Sequence, residues 1–172
     1  MANDPDFITV GANGSVLLGP VGTALPTTIA AAWNAALIDV GYINEDGVSI
    51  SKPRSIEARR AWQSFYPVRR IVTESDLLVS FTMMEFKKTN IQAALEGAIA
   101  TNTGIHTFTP GDPEDITQFA MGVQWMDGAY TFRLTIPKVI SNADVVFFLK
   151  PSEEAGIPLT MGVVGTDPMQ AY

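Results

Sequence analysis

The stretch of sequence that decides the fold is a predicted β-hairpin, in which residues 119–136 read FAMGVQWMDGAYTFRLTI. On both sides of Asp127-Gly128, large apolar residues alternate with small or polar ones, which is the period of a strand with one buried face. Asp-Gly favours a two-residue type I′ turn, because both central positions of that turn need a positive φ. The sequence therefore predicts two long antiparallel strands joined by a tight turn.

The turn also predicts the register of this hairpin. With Met126 opposite Ala129, Trp125 pairs with Tyr130, and the other large apolar residues follow on the same face. The opposite face carries the polar side chains of Gln124, Thr131 and Arg133. A slip by one residue would expose every large apolar side chain, so the pattern and the turn agree.

A second hairpin is predicted upstream, over residues 68–86. Its second arm has the same alternation, with apolar Leu77, Val79, Phe81 and Met83 against Leu78, Ser80, Thr82 and Met84. The turn near residues 74–76 contains no glycine, so the sequence leaves its register open.

A short helix is predicted between the two hairpins. Thr89 and Gln92 have the spacing of a capping box, residues 91–95 carry an apolar stripe, and Gly97 suits the position just after a helix. The Ala-rich residues 28–38 are the candidate for a second short helix.

The remaining pattern predicts a mainly β fold. Further strands are expected over residues 14–18, 48–51, 56–65, 105–109, 145–150 and 159–164. Many short strands between turn-forming residues, with one or two short helices, favour two packed antiparallel sheets flanked by a helix. We expect a single domain over residues 1–172, in which residues 1–20 form an extended arm.

Composition narrows the class of protein. Only 17% of the 172 residues are charged, against about a quarter in typical soluble domains, so neighbouring subunits are expected to cover much of the surface. The chain has no cysteine, which excludes disulfides and thiolate metal sites. Residues 1–7 lack the features of a signal peptide, and no run approaches the roughly 18 apolar residues of a membrane helix. We therefore expect no membrane insertion.

The net charge of −7 is unevenly distributed. Residues 52–88 contain eight basic and four acidic side chains, and the rest of the chain is strongly acidic. The basic ones are Lys52, Arg54, Arg59, Arg60, Arg69, Arg70, Lys87 and Lys88. One interpretation is a surface that meets a surface of opposite sign on a second copy of the molecule. The other is that long hairpins carry Arg and Lys for solubility.

No catalytic or metal-binding arrangement is predicted. His106 is the only histidine, and the chain has no Gly-x-Ser-x-Gly elbow to accompany it in a hydrolytic triad. Asp112, Glu114 and Asp115 follow a Pro-Gly pair in a context that favours a turn over a cation site. We expect no enzymatic activity, no metal and no cofactor.

Several motifs occur in order along the first half of the chain. They are Gly41-Tyr42-Ile43-Asn44-Glu45-Asp46-Gly47-Val48, Arg60-Ala61-Trp62-Gln63-Ser64-Phe65, Pro67-Val68-Arg69-Arg70-Ile71 and the strand from Leu77 to Met83 that leads to Glu85-Phe86. In this order and spacing, the chain resembles the major tail tube proteins of siphophages, especially of phages that infect actinobacteria. The similarity is clearest over residues 25–95.

That resemblance implies a structural protein related to the tube proteins of contractile tails and of type VI secretion. Six copies would form a ring by joining sheets edge to edge into an inner β-barrel, and rings would stack into the tail tube. The lumen would hold the tape measure protein and then pass DNA, while the tail terminator and distal tail proteins would bind the tube ends. The protein would reside in the virion tail and, during assembly, in the host cytoplasm.

Two sets of residues are expected to serve this assembly. Residues 42–88 are expected at contacts between subunits, and a conduit for DNA needs a neutral or negative lumen, so the arginines are assigned to protein contacts. The contact candidates are Lys52, Arg54, Arg59, Arg60, Trp62, Phe65, Arg69 and Arg70. The lumen candidates are Ser80, Thr82, Gln124, Thr131 and Arg133.

Two alternatives stay open. A tail terminator or a type VI tube subunit would share the fold and differ in whether rings stack without limit. A nucleic-acid-binding module would use the aromatic residues of the segment 59–70, interleaved with its arginine pairs, to stack on single strands. The acidic remainder of the chain opposes that second alternative.

Overall fold

Antiparallel strands make up most of the described chain, together with one short helix, α1 (Lys88–Leu95). The computed structural model describes residues 8–103, 105–111, 116–142, 144–147, 149, 151, 154–165 and 170–171. The strands are β1 (Ala12–Pro20), β2 (Ile38–Asp39), β3 (Ile43–Ser51), β4 (Arg54–Arg59), β5 (Arg69–Ser75), β6 (Leu78–Met83), β7 (Gly97–Asn102), β8 (Ile105–Pro110), β9 (Gln118–Asp127), β10 (Tyr130–Ser141), β11 (Ile157–Val163) and β12 (Gln170–Ala171). The predicted fold class is confirmed.

Most strands belong to one hydrogen-bonded path, in the order β2-β1-β9-β10-β11-β6-β3, with β12 paired to β10. The path bends around one main core, because Val123 of β9 and Phe81 of β6 lie in the same buried cluster. A smaller second cluster consists of Leu17, Leu37 and Ala120. The two predicted sheets are therefore halves of one path that continues through the pairing of β10 with β11. α1 closes one side, with Ala93 and Ala94 in the main core.

The hairpin predicted over residues 119–136 forms from β9 and β10, but its register differs from the prediction by two residues. Trp125 lies opposite Phe132 instead of Tyr130, and the two rings stack with centroids 5.5 Å apart. The central turn residues are Gly128, with a φ of +56°, and Ala129. Of these two residues only Gly128 has a positive φ, as in a type II′ turn. The predicted type I′ turn would also have required a positive φ at Asp127, which is unfavourable for a residue other than glycine. A shift by two keeps every side chain on its predicted face.

The prediction of a hairpin over residues 68–86 is wrong, because its two arms do not pair with each other. β5 pairs with β4, while β6 lies between β11 and β3 in the main sheet. All residues of β5 are exposed, and every second residue of β6 is buried. The glycine-free residues 74–76 therefore do not reverse the chain within one ladder; they lead from a projecting hairpin into the core.

The predicted helix is found, but both of its predicted ends are wrong. No side chain caps its first turn, so Thr89 and Gln92 do not form a capping box. At the other end Glu96, not Gly97, takes the left-handed conformation, with a φ of +49°.

Most other predicted strands are found with shifted ends. The segments 14–18, 48–51 and 105–109 lie within β1, β3 and β8, and 159–164 largely overlaps β11. The strand predicted over 56–65 stops at Arg59. Residues 28–38 form no helix, and the last of them, Ile38, begins β2. The described part of 145–150 forms no strand. Of the predicted arm, Ala12–Pro20 is β1, which pairs with β9 inside the main sheet. The predicted turn at residues 112–115 lies outside the described residues.

Candidate assembly surfaces

The hairpin formed by β4 and β5 projects from the body of the subunit. Its strands pair from Arg54 opposite Ser75 to Arg59 opposite Arg69, and every residue of both strands is exposed. At its base the Asp76 backbone N–H donates to the Pro53 carbonyl oxygen over 3.1 Å. All the predicted contact residues lie on this hairpin or at its base, so the structure brings the whole set together on one element.

The tip of this hairpin, residues 60–68, presents aromatic side chains to solvent. Trp62 is 99% exposed, Phe65 98% and Tyr66 82%. The tip is nonetheless ordered by its own backbone, since the Ser64 N–H donates to the Ala61 carbonyl oxygen over 3.1 Å. Large aromatic side chains displayed together on a folded loop indicate a surface that is covered by a partner.

The same hairpin concentrates positive charge. Arg59 lies directly opposite Arg69, and like charges in such pairs destabilise an isolated ladder. Glu57 forms an ion pair with Arg59 at 3.1 Å. In the described part of the chain, no carboxylate lies within ion-pair distance of Arg60, Arg69 or Arg70. The hairpin therefore carries positive charge for which the subunit itself supplies little balance.

The main sheet ends in two open edges that face a common cavity. β3 is the last strand of the path, and β2 covers β1 only at Leu17 and Leu18. Between these edges lies a cavity of about 530 Å³, which we call the edge cavity. Gly14 of β1, Val48 of β3 and Trp125 of β9 contribute to its walls. An open strand edge invites pairing with another chain, so this region is a second candidate contact surface.

Glu85 holds one rim of the edge cavity in place. Its Oε1 accepts the Tyr42 backbone N–H over 2.9 Å, and its Oε2 lies 2.6 Å from Lys87 Nζ. The hydrogen bond from Lys87, followed by the one from the Tyr42 backbone, holds the pKa of Glu85 below its ordinary value. Gly41 has a φ of +88°, and a Cβ there would collide with the Glu85 carboxylate. In the sequence, Gly41, Tyr42 and Glu85 occur only as members of two separate motifs, and no local pattern indicates the clamp that they form.

The five predicted lumen residues fall on two separate outer faces. Ser80 and Thr82 are half-buried on the outer face of β6, where Ser80 Oγ lies 3.0 Å from Thr160 Oγ1. The outer face of β9 and β10 carries the other three, Gln124, Thr131 and Arg133. Because β10 and β11 separate β9 from β6 in the strand path, these two faces belong to different parts of the sheet.

Arg133 is buried beneath the segment 23–37, with 5% of its surface exposed. Its Nη1 donates to the carbonyl oxygens of Thr28 (3.1 Å) and Ala31 (2.8 Å). Its Nε and Nη2 donate to Gln124 Oε1, over 3.1 and 2.8 Å. The arginine therefore fastens this segment to the outer face of the β9–β10 hairpin.

Trp33 completes this attachment. Its ring lies 4.4 Å from the guanidinium carbon of Arg133, and its Nε1–H donates to Gln124 Oε1 over 3.1 Å. A Cβ on Gly122 would lie 2.4 Å from the Trp33 ring, so only glycine permits this approach. Glycine in mid-strand often marks a close approach, and Gly122 was the sequence signal that could have predicted the cover over β9.

The described residues contain neither a metal site nor a membrane helix. No group of three or more His, Asp or Glu side chains comes together there in a way that could hold a metal ion. The one helix in the described part of the chain, α1, is not long and apolar enough to cross a membrane.

Comparison with known proteins decides the family. A family model described as phage tail tube protein matches residues 1–172. The chain belongs to the phage tail tube protein family. A chain of the anti-feeding prophage baseplate, solved by cryo-EM with 6-fold symmetrisation, is similar over 100% of this tail tube protein and 97% of that chain, with 10% identity and a TM-score of 0.47. No curated protein matches the sequence.

Family membership confirms the predicted identity at this level. A tail tube protein is a structural component of the bacteriophage tail, not an enzyme, and it assembles with copies of itself and with other tail components. The virion tail is therefore its location. The surfaces described above are then surfaces of a subunit that works within an assembly.

Proposed function

We propose that this tail tube protein is the major tube subunit of a siphophage, forming hexameric rings that stack into the conduit for DNA ejection. The observation that carries the proposal is the combination, in one subunit of this family, of open sheet edges with a projecting hairpin whose aromatic tip is left exposed by the described residues. Closing a ring removes sheet edges, and a projecting arm can reach the next ring.

Within that tube, the outer face of β6 faces the lumen. Its residues Ser80 and Thr82 carry hydroxyl groups, and Asp46 and Asn44 border the same face, so its potential is neutral to negative. DNA would slide past such a surface instead of being held by counterion release. Gln124 and Arg133 belong to the same set of lumen candidates, but beneath the segment 23–37 their role is to fasten that segment.

The hairpin serves the contacts between subunits. Arg59, Arg60, Arg69 and Arg70 are exposed on the hairpin, which is a separate sheet from the one that contains β6, and this supports a role in protein contacts and not in a DNA channel. The tape measure protein occupies the lumen before ejection, and the tail terminator and distal tail proteins bind the two ends. Assembly takes place in the host cytoplasm.

Electron microscopy of the purified protein tests the proposal. At high concentration, with or without tail extract, the protein is expected to form long hollow filaments of constant diameter with sixfold end views. Rings that never stack would instead indicate a tail terminator. A monomer at every concentration would overturn the proposed tube function.

A DNA-binding measurement separates the nucleic-acid alternative. Fluorescence anisotropy with a labelled single strand at low salt is expected to show no tight binding, because the chain carries a net charge of −7. Tight binding that falls steeply with salt would favour a nucleic-acid module built on the arginines and aromatic residues of the hairpin.

A further inference from the structure

The exposed tip of the β4–β5 hairpin needs an acceptor, and the subunit contains a cavity of suitable chemistry. Trp62 and Phe65 are almost fully exposed among the described residues, whereas a typical buried aromatic side chain removes about 150 to 250 Å² from water. We propose that this tip inserts into the edge cavity of a second copy of the chain. The inference rests on the proposed tube function and names the two surfaces that join.

The edge cavity has the size and the wall that an aromatic side chain requires. Its volume is about 530 Å³, and Val48, Val123 and Trp125 give it an apolar surface. Gly14 and Gly47 contribute backbone without side chains, which leaves the mouth of the cavity wide. An aromatic anchor in an apolar pocket is the usual centre of a strong interface.

Charge complementarity selects this cavity. Glu45 lies in its wall and is exposed, so a carboxylate stands at the mouth. The tip arrives with Arg60, Arg69 and Arg70, for which no carboxylate of the described chain is within reach. Docking therefore brings opposite charges together around an apolar centre.

A polar atom in the cavity wall also lacks a partner. Asn44 Oδ1 is buried and accepts no hydrogen bond from the described residues. Such an acceptor lowers stability until a donor reaches it. Asn44 Nδ2 already donates to Asp46 Oδ2 over 2.6 Å, so only the oxygen is left to accept. The indole N–H of Trp62 and the guanidinium groups beside it are donors of the kind that this oxygen lacks.

A second cavity, of about 350 Å³, provides the contrast. It lies between α1 and the start of β2, and Gln92, Thr89 and Gln118 give it a neutral polar rim. It is apolar enough to accept an aromatic ring, but none of the residues that line it is a carboxylate. It is therefore the matched control for the experiment.

Cross-linking between single-cysteine variants tests the inference, because the chain has no cysteine of its own. Gln63→Cys, on the exposed tip, is mixed with Ile50→Cys, in the wall of the edge cavity, in one sample and with Gln92→Cys in another, each variant carrying a tag of different mass. The assembled mixtures are then treated with a short bis-maleimide cross-linker. The first mixture is expected to give a cross-linked dimer of the two variants, and the second mixture is expected to give no such dimer. Each link joins two chains, since each variant has one cysteine.

The outcomes separate the inference from the proposed function. Filaments that form without a link between positions 63 and 50, or that link 63 to 92 instead, overturn the docking site and leave the tube function standing. If the unmodified protein forms no filaments, the tube function itself fails. As a second measurement, Arg70→Glu is expected to abolish filaments and Glu45→Arg to restore them in the double variant; loss without restoration contradicts the charge pairing.

Discussion

Arg133 shows how a charged side chain can be buried without an ionic partner. Among the described residues no carboxylate contacts it, yet its donors reach two carbonyl oxygens and the amide oxygen of Gln124. The Trp33 ring supplies a cation–π contact. The arginine therefore contributes to stability only while Trp33 and its segment stay in place, because a buried charge that loses its partners is strongly destabilising.

Trp33→Ala is expected to lower the free energy of unfolding by about 2 to 3 kcal/mol, through the lost apolar contact and the lost cover over Arg133. Urea denaturation of unassembled protein measures this. Trp62→Ala is the matched control, since Trp62 is 99% exposed and its removal should change stability by no more than about 0.5 kcal/mol. Equal losses in the two variants would show that Trp33 fastens nothing.

At the level of elements, the sequence predicted strands better than their partners. Alternation identified the buried faces of β6, β9 and β10 because period two follows directly from strand geometry. The partner of β5 was missed, since its exposed residues carry no signal that distinguishes pairing with β4 from pairing with β6. The contact candidates could still be chosen from the sequence, because the arginine pairs and aromatic residues of this segment are visible there without knowledge of which strands pair. The cover over Arg133 involves residues about 100 positions apart, which a local pattern does not reveal.

The tip of the β4–β5 hairpin should be removable without unfolding the subunit. Replacing residues 60–68 by Asn-Gly joins Arg59 to Arg69, which already lie opposite each other, through a favourable turn. Unassembled protein is expected to keep its thermal midpoint, because no residue of the hairpin strands is buried, and to form no filaments in negative stain. Ile105→Ser is the control, because Ile105 is an exposed apolar residue on a different hairpin, β7–β8, and its replacement should leave filaments intact. Filaments from the shortened protein would exclude the tip from assembly.

At the scale of the whole molecule, two electrostatic effects oppose each other during assembly. Each subunit carries a net charge of −7, so copies repel at a distance. The arginine-rich hairpin attracts carboxylates only at close contact. Salt separates the two effects, because screening removes interactions beyond the Debye length, which is about 8 Å at 0.15 M and about 3 Å at 1 M ionic strength.

Filament formation is therefore expected to rise and then fall as NaCl increases. From about 10 mM to about 150 mM, salt screens the long-range repulsion and leaves the contacts largely intact, so the pelleted fraction in ultracentrifugation should grow. Towards 1 M the contact pairs are screened as well, and the fraction should fall. In Glu45→Gln, which removes the carboxylate at the mouth of the edge cavity, the fall towards 1 M should flatten. A pelleted fraction that falls steadily from the lowest salt would mean that attraction between hairpin and acceptor acts at long range and outweighs the repulsion between subunits.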